Sequence, residues 1–352
     1  MKKTVLIKVD PKNPDLKSIK IAANIIREGG LVAFPTETVY GLGADAFNPK
    51  AVRSLFVAKN RPLDNPPIIH IENFNQLNLL SKKIPSKAKL LIKEFWPGPL
   101  TLIFNRSEKM PSESTAGLDT VAIRMPKHNI ALSLIKMSKC PIAAPSANLS
   151  GKPSPTTADH VFNDLSGKID AILDGGPTII GLESTVVNFT SNPPEVLRPG
   201  GVSIEELKRV IDDLKIHPFV IADKELDIEK TLSPGMKHRH YAPKATLILV
   251  EGSVPLVLKK IKELANYYRL KGLKVGILGT QETIDKYNAN VLKSLGSRFN
   301  LGVIAKNLFR QLREFDDENV EIIIAEGVSD EGLGLAVMNR LRKAAGYNII
   351  KT

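Results

Sequence analysis

The 352 residues are 43% hydrophobic and 24% charged, the balance of ordinary globular domains over a length that calls for more than one. No apolar run approaches the roughly 20 residues that cross a bilayer, and Met1-Lys2-Lys3-Thr4-Val5-Leu6-Ile7 meets Lys8 and Asp10 too soon to hold a signal-peptide core, so the chain reads as cytosolic. One cysteine, Cys140, excludes an intramolecular disulfide and any Cys-rich zinc module, while the formal charge of +12 favours anionic partners.

From Asp15 to Glu28, apolar residues at Leu16, Ile19, Ala22, Ala23 and Ile26 predict a helix closed by Gly29-Gly30. Leu31 to Phe34 then reads as a buried strand running into Pro35. Asn48 caps a second helix with Pro49 at its first position, and this helix delivers Lys59 and Arg61 at its far end. Strands are expected at Pro67 to Ile71, Leu100 to Asn105, Val121 to Met125, Ile142 to Ala144 and Ala171 to Asp174. Helices are expected at Ser86 to Phe95, Ile130 to Ser138 and Thr157 to Leu165, which mixes the two element types in an α/β or α+β layer structure. Ser203-Ile204-Glu205-Glu206 is a capping box that opens a helix to about Leu214 and closes a first domain, 1–214.

Between Lys215 and Lys244 the periodicity fades around Pro218, Pro234 and Pro243. At about thirty residues this is longer than most connections within a domain, so 215–244 reads as a linker or functional loop. The second domain, 245–352, alternates: strand Thr246 to Val250, helix Pro255 to Leu270, strand Lys274 to Leu278, helix Val303 to Phe315, strand Val320 to Ala325, helix Leu335 to Ala345. That pattern predicts a small parallel β-α-β sheet. Sixteen Lys/Arg stand against twelve Asp/Glu from Ala245 onward, so most of the positive excess lies upstream, without the dense basic block of a nucleic-acid arm.

Two short motifs point to anion chemistry. Lys59-Asn60-Arg61 sets two cations on alternate residues before Pro62, and Ser146-Ala147-Asn148 offers a hydroxyl and an amide after Pro145. Each has a plain structural reading: cations at a helix C-terminus complement its dipole, and a Ser/Pro/Gly loop can simply lead to a Thr cap. Arg124 resists such a reading, because its apolar run Val121-Ala122-Ile123-Arg124-Met125 buries a guanidinium that needs an acid partner. That partner is an internal carboxylate such as Glu37 or the carboxylate of a ligand. Pro35 to Gly43 supplies hydroxyls, a carboxylate and glycines that allow close backbone approach to a ligand. His70 interrupts an apolar strand, where a lone His is more often a satisfied core residue than a catalyst. There is no Gly-x4-Gly-Lys-Ser/Thr, Gly-x-Ser-x-Gly or His-Glu-x-x-His, which argues against P-loop NTPases and the corresponding hydrolases. His238-Arg239-His240 lacks the carboxylates a metal site would add.

In order along the chain, Pro35 to Gly43, Lys59-Asn60-Arg61, Phe95-Trp96-Pro97-Gly98-Pro99-Leu100-Thr101, Ser146-Ala147-Asn148 and Leu182-Glu183-Ser184-Thr185 resemble the YrdC-like domain. Ser233 to Pro243 resembles the linker of its two-domain form, and Asn339-Arg340-Leu341-Arg342-Lys343-Ala344-Ala345 the end of that form's C-terminal domain. The resemblance implies a YrdC-like α/β fold, a twisted and mostly parallel open sheet around a large cavity, with a small Rossmann-like α/β domain beyond a long linker. It also implies an L-threonylcarbamoyladenylate synthase, which joins ATP, L-threonine and bicarbonate into threonylcarbamoyl-AMP and releases pyrophosphate. A downstream tRNA threonylcarbamoyltransferase then modifies the adenosine beside the anticodon of ANN-decoding tRNAs, and direct tRNA contact is a further possibility.

By the same resemblance, Thr36, His70, Arg124, Ala144 and Ser184 line the threonine side. Lys59, Leu63, Thr120, Ser146, Ser154, Arg198 and Tyr241 surround ATP, with Lys59 and Arg61 countering phosphate charge as the catalytic pair. Mg2+ accompanies the triphosphate without a visible carboxylate cage, and no metal ligand is assigned. Tyr241 lies in the linker, which is expected to enter the cavity as a lid. Three rival readings stand beside this one. An RNA-binding module using the same basic cavity fits the charge but not the 5% aromatic content. Carbamoyl transfer of the hydrogenase-maturation type needs cysteines this chain lacks. A nucleotide-sensing second domain has only Gly332-Leu333-Gly334 to suggest it.

Overall fold

Alternating strand and helix signals condense into two separate sheets in the computed structural model, which describes residues 3–224 and 241–352. Among these, 3–150 and 154–219 form one unit, and 151–153, 220–224 and 241–352 form a second. The first runs β1 (Val5–Lys8), α1 (Leu16–Arg27), β2 (Val32–Phe34), β3 (Gly41–Asp45), α2 (Pro49–Lys59), β4 (Ile68–His70), α3 (Phe74–Leu80), α4 (Ser86–Phe95) and β5 (Leu100–Asn105). It continues with β6 (Thr120–Arg124), α5 (Asn129–Ser138), β7 (Ile142–Ala143), α6 (Ala158–Leu165), β8 (Ala171–Asp174), β9 (Thr185–Asn188), β10 (Glu195–Arg198), α7 (Ile204–Val210) and β11 (Lys215–Ile216). After a short helix α8 (Pro218–Ile221) come β12 (Thr246–Glu251), α9 (Val254–Leu270), β13 (Val275–Gly279), β14 (Val291–Ser294), α10 (Leu301–Asp317), β15 (Ile322–Glu326), α11 (Leu333–Ala344) and β16 (Ile349–Lys351).

Helix starts follow their capping side chains. Asp15 accepts from the N–H groups of Lys17 and Ser18, Asn48 from Lys50 and Ala51, and Thr157 from His160. Ser203 and Glu206 exchange both bonds of a capping box. The helix it opens ends at Val210, short of Leu214, because Ile211 turns extended (φ −136°, ψ 114°). Asn60 stops α2 in the left-handed region (φ 50°), a conformation Asn tolerates, so that Lys59 ends the helix and Arg61 lies beyond it.

The first sheet has the order β1-β8-β2-β3-β7-β4-β6-β5-β9-β10-β11. Pairings are parallel at β1-β8, β8-β2, β4-β6, β5-β9 and β10-β11, and antiparallel at the other five joins. The second sheet, β14-β13-β15-β12-β16, is parallel throughout and supplies the parallel majority of the fold. Ile19, Ala22, Ala23 and Ile26 of α1 meet Ile130, Ala131, Leu134 and Ile135 of α5 over Val32, Phe34 and Leu173, closing the first core. Val257, Ile261 and Ala265 of α9 do the same on Val250, Val275, Ile277 and Ile324 in the second. Strand β3 is absent from the sequence expectations because Gly41-Leu42-Gly43 lacks β-branched or aromatic residues. Its Gly43 is fixed by packing: a Cβ there would stand 2.8 Å from Ile142 and 2.9 Å from Phe34. That close approach is to core side chains. No helix among the described residues is long and apolar enough to cross a membrane.

Candidate active site

The loop joining β2 to β3 is the organising piece. Thr36 folds it into a tight turn, its hydroxyl accepting from the N–H groups of Thr38 (3.1 Å) and Val39 (3.3 Å) and donating to the Val39 carbonyl (2.7 Å). This turn buries Glu37 and Thr38 against Arg124 at the end of β6. Arg124 Nη2 lies 2.6 Å from Glu37 Oε2, Nη1 donates to the Thr38 hydroxyl (2.9 Å), and Nε donates to the Gly98 carbonyl (3.1 Å). Of the two kinds of partner the sequence left open, the internal acid is present here, and it is Glu37. The pair is a charge contact without an aligned hydrogen bond, so Glu37 Oε1 and Oε2 and Arg124 Nη2 are buried polar atoms with no hydrogen bond among the described residues.

His70 sits beside Arg124 in the parallel β4-β6 register, its Nδ1 3.2 Å from the Ile68 carbonyl and its ring edge-on to Phe34. Burial, and then the Arg124 charge, push its pKa down to about 3. The imidazole is therefore neutral, and the positive charge here belongs to Arg124. An unfolded histidine titrates near about 6.5. Between roughly pH 6.5 and 3 the unfolded chain binds a proton that the folded chain refuses, so stability falls on acidification through that window. We expect the urea midpoint to drop between about pH 7 and about pH 4.5, and His70→Gln to lessen that drop; an equal drop in both proteins would refute the assignment.

The two motifs singled out in the sequence meet. Lys59, 1% exposed, donates through Nζ to the carbonyls of both Ser146 and Asn148. The Ser146 segment is in turn laced to the β2-β3 loop: Gly41 bridges Ser146, Leu42 N–H donates to Pro145, and Ala147 N–H donates to Tyr40. A third loop joins them, with Ile180 N–H donating to the Glu37 carbonyl and Gly181 N–H to that of Thr38. This loop presents Glu183, which accepts from the Ser154 hydroxyl, and Ser184, whose hydroxyl is 2.7 Å from that of Thr101. Arg198, buried at the end of β10, donates to the Ser184 carbonyl (3.1 Å) and hydroxyl (3.2 Å). A β-bulge between Val196 and Arg198 accompanies this turn of the strand. Thr36, His70 and Arg124 thus form one group, Lys59 and Ser146 a second, and Ser154, Ser184 and Arg198 a third, with backbone bonds tying their loops together.

Other expected site residues stand differently. Ala144 is buried, its N–H bonded to the Ile68 carbonyl. Arg61 closes its own loop, donating to the Asn65 carbonyl (3.0 Å), Asn65 Oδ1 (2.7 Å) and the Pro66 carbonyl (3.2 Å). Leu63 is exposed in that loop. Thr120 begins β6 and Arg124 ends it, a separation of about 13 Å along the strand. Tyr241, with φ 65°, belongs to the second unit, where its ring stacks on Phe309 at 5.1 Å with the Arg340 guanidinium 5.8 Å from its centroid. The remainder of the expected lid, Ser233 to His240, lies outside the described residues. Sequence reasoning did not select Thr38 as a partner of Arg124, nor His128, whose Nδ1 is buried without a hydrogen bond. Burial lowers the His128 pKa, with Glu37 opposing and Arg124 adding to the shift. Only the position of His128 just before a helix marked it, and that is the signal of a cap.

Comparison with known proteins completes the description. Residues 24–200 match a family model described as telomere recombination, and residues 202–346 match one described as the threonylcarbamoyl-AMP synthase C-terminal domain. The chain is 55% identical to the threonylcarbamoyl-AMP synthase of Pyrococcus abyssi over 348 residues, covering 99% of each chain. It is 51% identical to that of Bacillus subtilis over 331 residues, covering 94% of this chain and 93% of the other. The crystal structure of P. abyssi Sua5 complexed with L-threonine superposes with a TM-score of 0.95 at 54% identity, covering 99% of this chain and all of that one.

Proposed function

Since this chain belongs to the threonylcarbamoyl-AMP synthase family in its two-domain form, we propose that the three-loop site of the first unit binds L-threonine at Arg124 and Glu37 and ATP at Lys59 and Arg198. The activity is that of a threonylcarbamoyl-AMP synthase, a nucleotidyl transfer that serves tRNA modification and uses ATP as substrate. The observation that carries the threonine assignment is the unsatisfied Arg124–Glu37 pair. A guanidinium and a carboxylate, both buried and both short of hydrogen bonds, match the two charges of an amino-acid zwitterion. Thr36, His70, Ala144 and Ser184 complete that side, the neutral His70 adding shape and no charge.

The chemistry asks for little covalent help. The threonine amine and bicarbonate form a carbamate with loss of water, and its carboxylate oxygen attacks the α-phosphorus of ATP while the bond to the bridging oxygen breaks and pyrophosphate departs. Positioning and charge stabilisation supply the catalysis. Lys59, Arg61 and Arg198 oppose the developing phosphate charge, with the Ser146 and Ser154 hydroxyls, Leu63 and Thr120 kept on the ATP side. For Mg2+, no group of three His, Cys, Asp or Glu side chains stands together among the described residues. The acid near the phosphate side, Glu183, already accepts from Ser154. These residues do not form a cage for the ion. A tRNA threonylcarbamoyltransferase is the downstream partner we infer from the family.

Pyrophosphate release from ATP, measured with and without L-threonine and bicarbonate, tests the reading. We expect release to require both, and release indifferent to threonine would reject it. Deleting Ser233 to Pro243 tests the lid in the same assay: product formation should fall sharply while the first unit stays folded, and unchanged activity would remove the lid from the mechanism.

A further inference from the structure

The second unit holds a polar crevice independent of that chemistry. Strand β12 leads through α9 past β15 to β13, whereas β15 leads through α11 past β12 to β16. Right-handed crossovers in opposite directions place their helices on opposite faces, and the loops after β12 and β15 part. Such a switch point at the carboxyl ends of parallel strands is where open α/β sheets take ligands. Here it leaves a cavity of about 250 Å³ lined by residues that include Glu251, Arg298, Ser329, Asp330, Met338 and Arg342.

Its charges are held in place from behind. Glu326, 1% exposed at the end of β15, accepts from Thr280 N–H (3.0 Å), from the Thr283 hydroxyl and from Arg298 Nη2. Arg298 Nη2 also donates to the Thr280 hydroxyl (3.1 Å). Arg298 Nε is left buried without a hydrogen bond, the Glu282 carboxylate standing 3.9 Å away. On the other wall, Arg342 grips Glu251 with two bonds of 2.8 and 3.0 Å, and its Nη2 lies 3.9 Å from the exposed Asp330.

These features select among ligand classes. Two arginines and two carboxylates line the cavity, so it has no positive excess to draw a triphosphate. It holds no aromatic side chain on which a base could stack, and it is smaller than the roughly 300–1,000 Å³ of drug-sized sites. Gly334, part of the glycine pair that hinted at a nucleotide, is required by packing: a Cβ there would meet the Ser329 carbonyl oxygen at 1.9 Å. A polar cavity with separated, fixed charges of both signs suits a small zwitterion. We propose that this crevice binds a free α-amino acid, its carboxylate on Arg298 and its ammonium on Asp330 and Glu251.

The full chain with 13C-labelled methionine methyls provides the test. Met338 lines the crevice, and Met125 follows Arg124 in the first unit, so the two sites report separately once a Met338→Leu variant has assigned the signal. Each proteinogenic amino acid is titrated in turn, with acetate and AMP as single-charge and nucleotide controls. We expect at least one amino acid to move the Met338 resonance saturably. Asp330→Asn, on an exposed loop that keeps the fold, should weaken that binding roughly tenfold or more, as loss of a charge-assisted bond does. Arg298→Gln should abolish it, with retention of the remaining methyl spectrum showing that the unit is still folded. No saturable shift with any amino acid, an equal response to acetate or AMP, or an unchanged affinity in Asp330→Asn would each overturn the proposal.

Discussion

Replacing Arg124 by alanine will abolish threonine-dependent pyrophosphate release and lower the unfolding free energy of the first unit by about 3–5 kcal/mol. Both effects have one origin. Glu37 is 4% exposed, and its only ionic partner among the described residues is Arg124. Removing the guanidinium strands a buried carboxylate and deprives Thr38 and Gly98 of a donor. Activity and stability separate in the double variant. Glu37→Gln in the Arg124→Ala background removes the unpaired charge, so urea denaturation should show much of the stability restored while pyrophosphate release stays absent. Threonine-dependent release surviving in either variant would mean that the pair is only scaffolding. Arg124→Lys should also fail, since Glu37, Thr38 and Gly98 are met by three different nitrogens of a planar fork and an ammonium has only one.

Lys59→Met will reduce kcat by about 10²–10³, the scale seen when one preorganised charge donor is lost from a transition state. The side chain holds two carbonyls, those of Ser146 and Asn148, at a point where α2 ends. Methionine keeps the apolar stem and removes the charge, leaving buried carbonyls to find other donors at about 1–3 kcal/mol each. The loss should therefore appear in pyrophosphate release at saturating threonine and also in the thermal midpoint. Parent-level kcat in this variant would exclude Lys59 from the phosphate side. Arg61→Ala should be milder in kcat, because Arg61 makes three bonds to its own loop, at Asn65 and Pro66.

Much of the fold was legible. Asp15, Asn48, Thr157 and Ser203 each announced a helix, because a short polar side chain that satisfies unpaired N–H groups is a local requirement visible in four residues. Strands β5 and β8 were found to the residue for the same kind of reason: short, mainly apolar runs with clear polar edges at Asn105 and Asp174. Strands β3 and β16 were not, since one is built on glycines that make room for Phe34 and Ile142 and the other is three residues long. In the site, Arg124 stood out because a buried guanidinium is costly without an acid. Thr38 and His128 carried no such mark, as a buried hydroxyl or imidazole is compatible with an ordinary core.

The amino-acid sequence by itself determined the capped helices, the two-domain division, the demand of Arg124 for an anion and the suspicion that Lys59 and Ser146 belong to one pocket. Each rests on interactions within a few residues, or on the cost of burying a charge wherever it lies. Only the tertiary structure decided that Glu37 answers Arg124, that Lys59 reaches both Ser146 and Asn148, and that Ser184 is held by Arg198. These contacts depend on the order of eleven strands, in which β2 lies beside β8 and β5 beside β9. Strand order is a global balance of loop closure, register and burial, and no local window of sequence contains it.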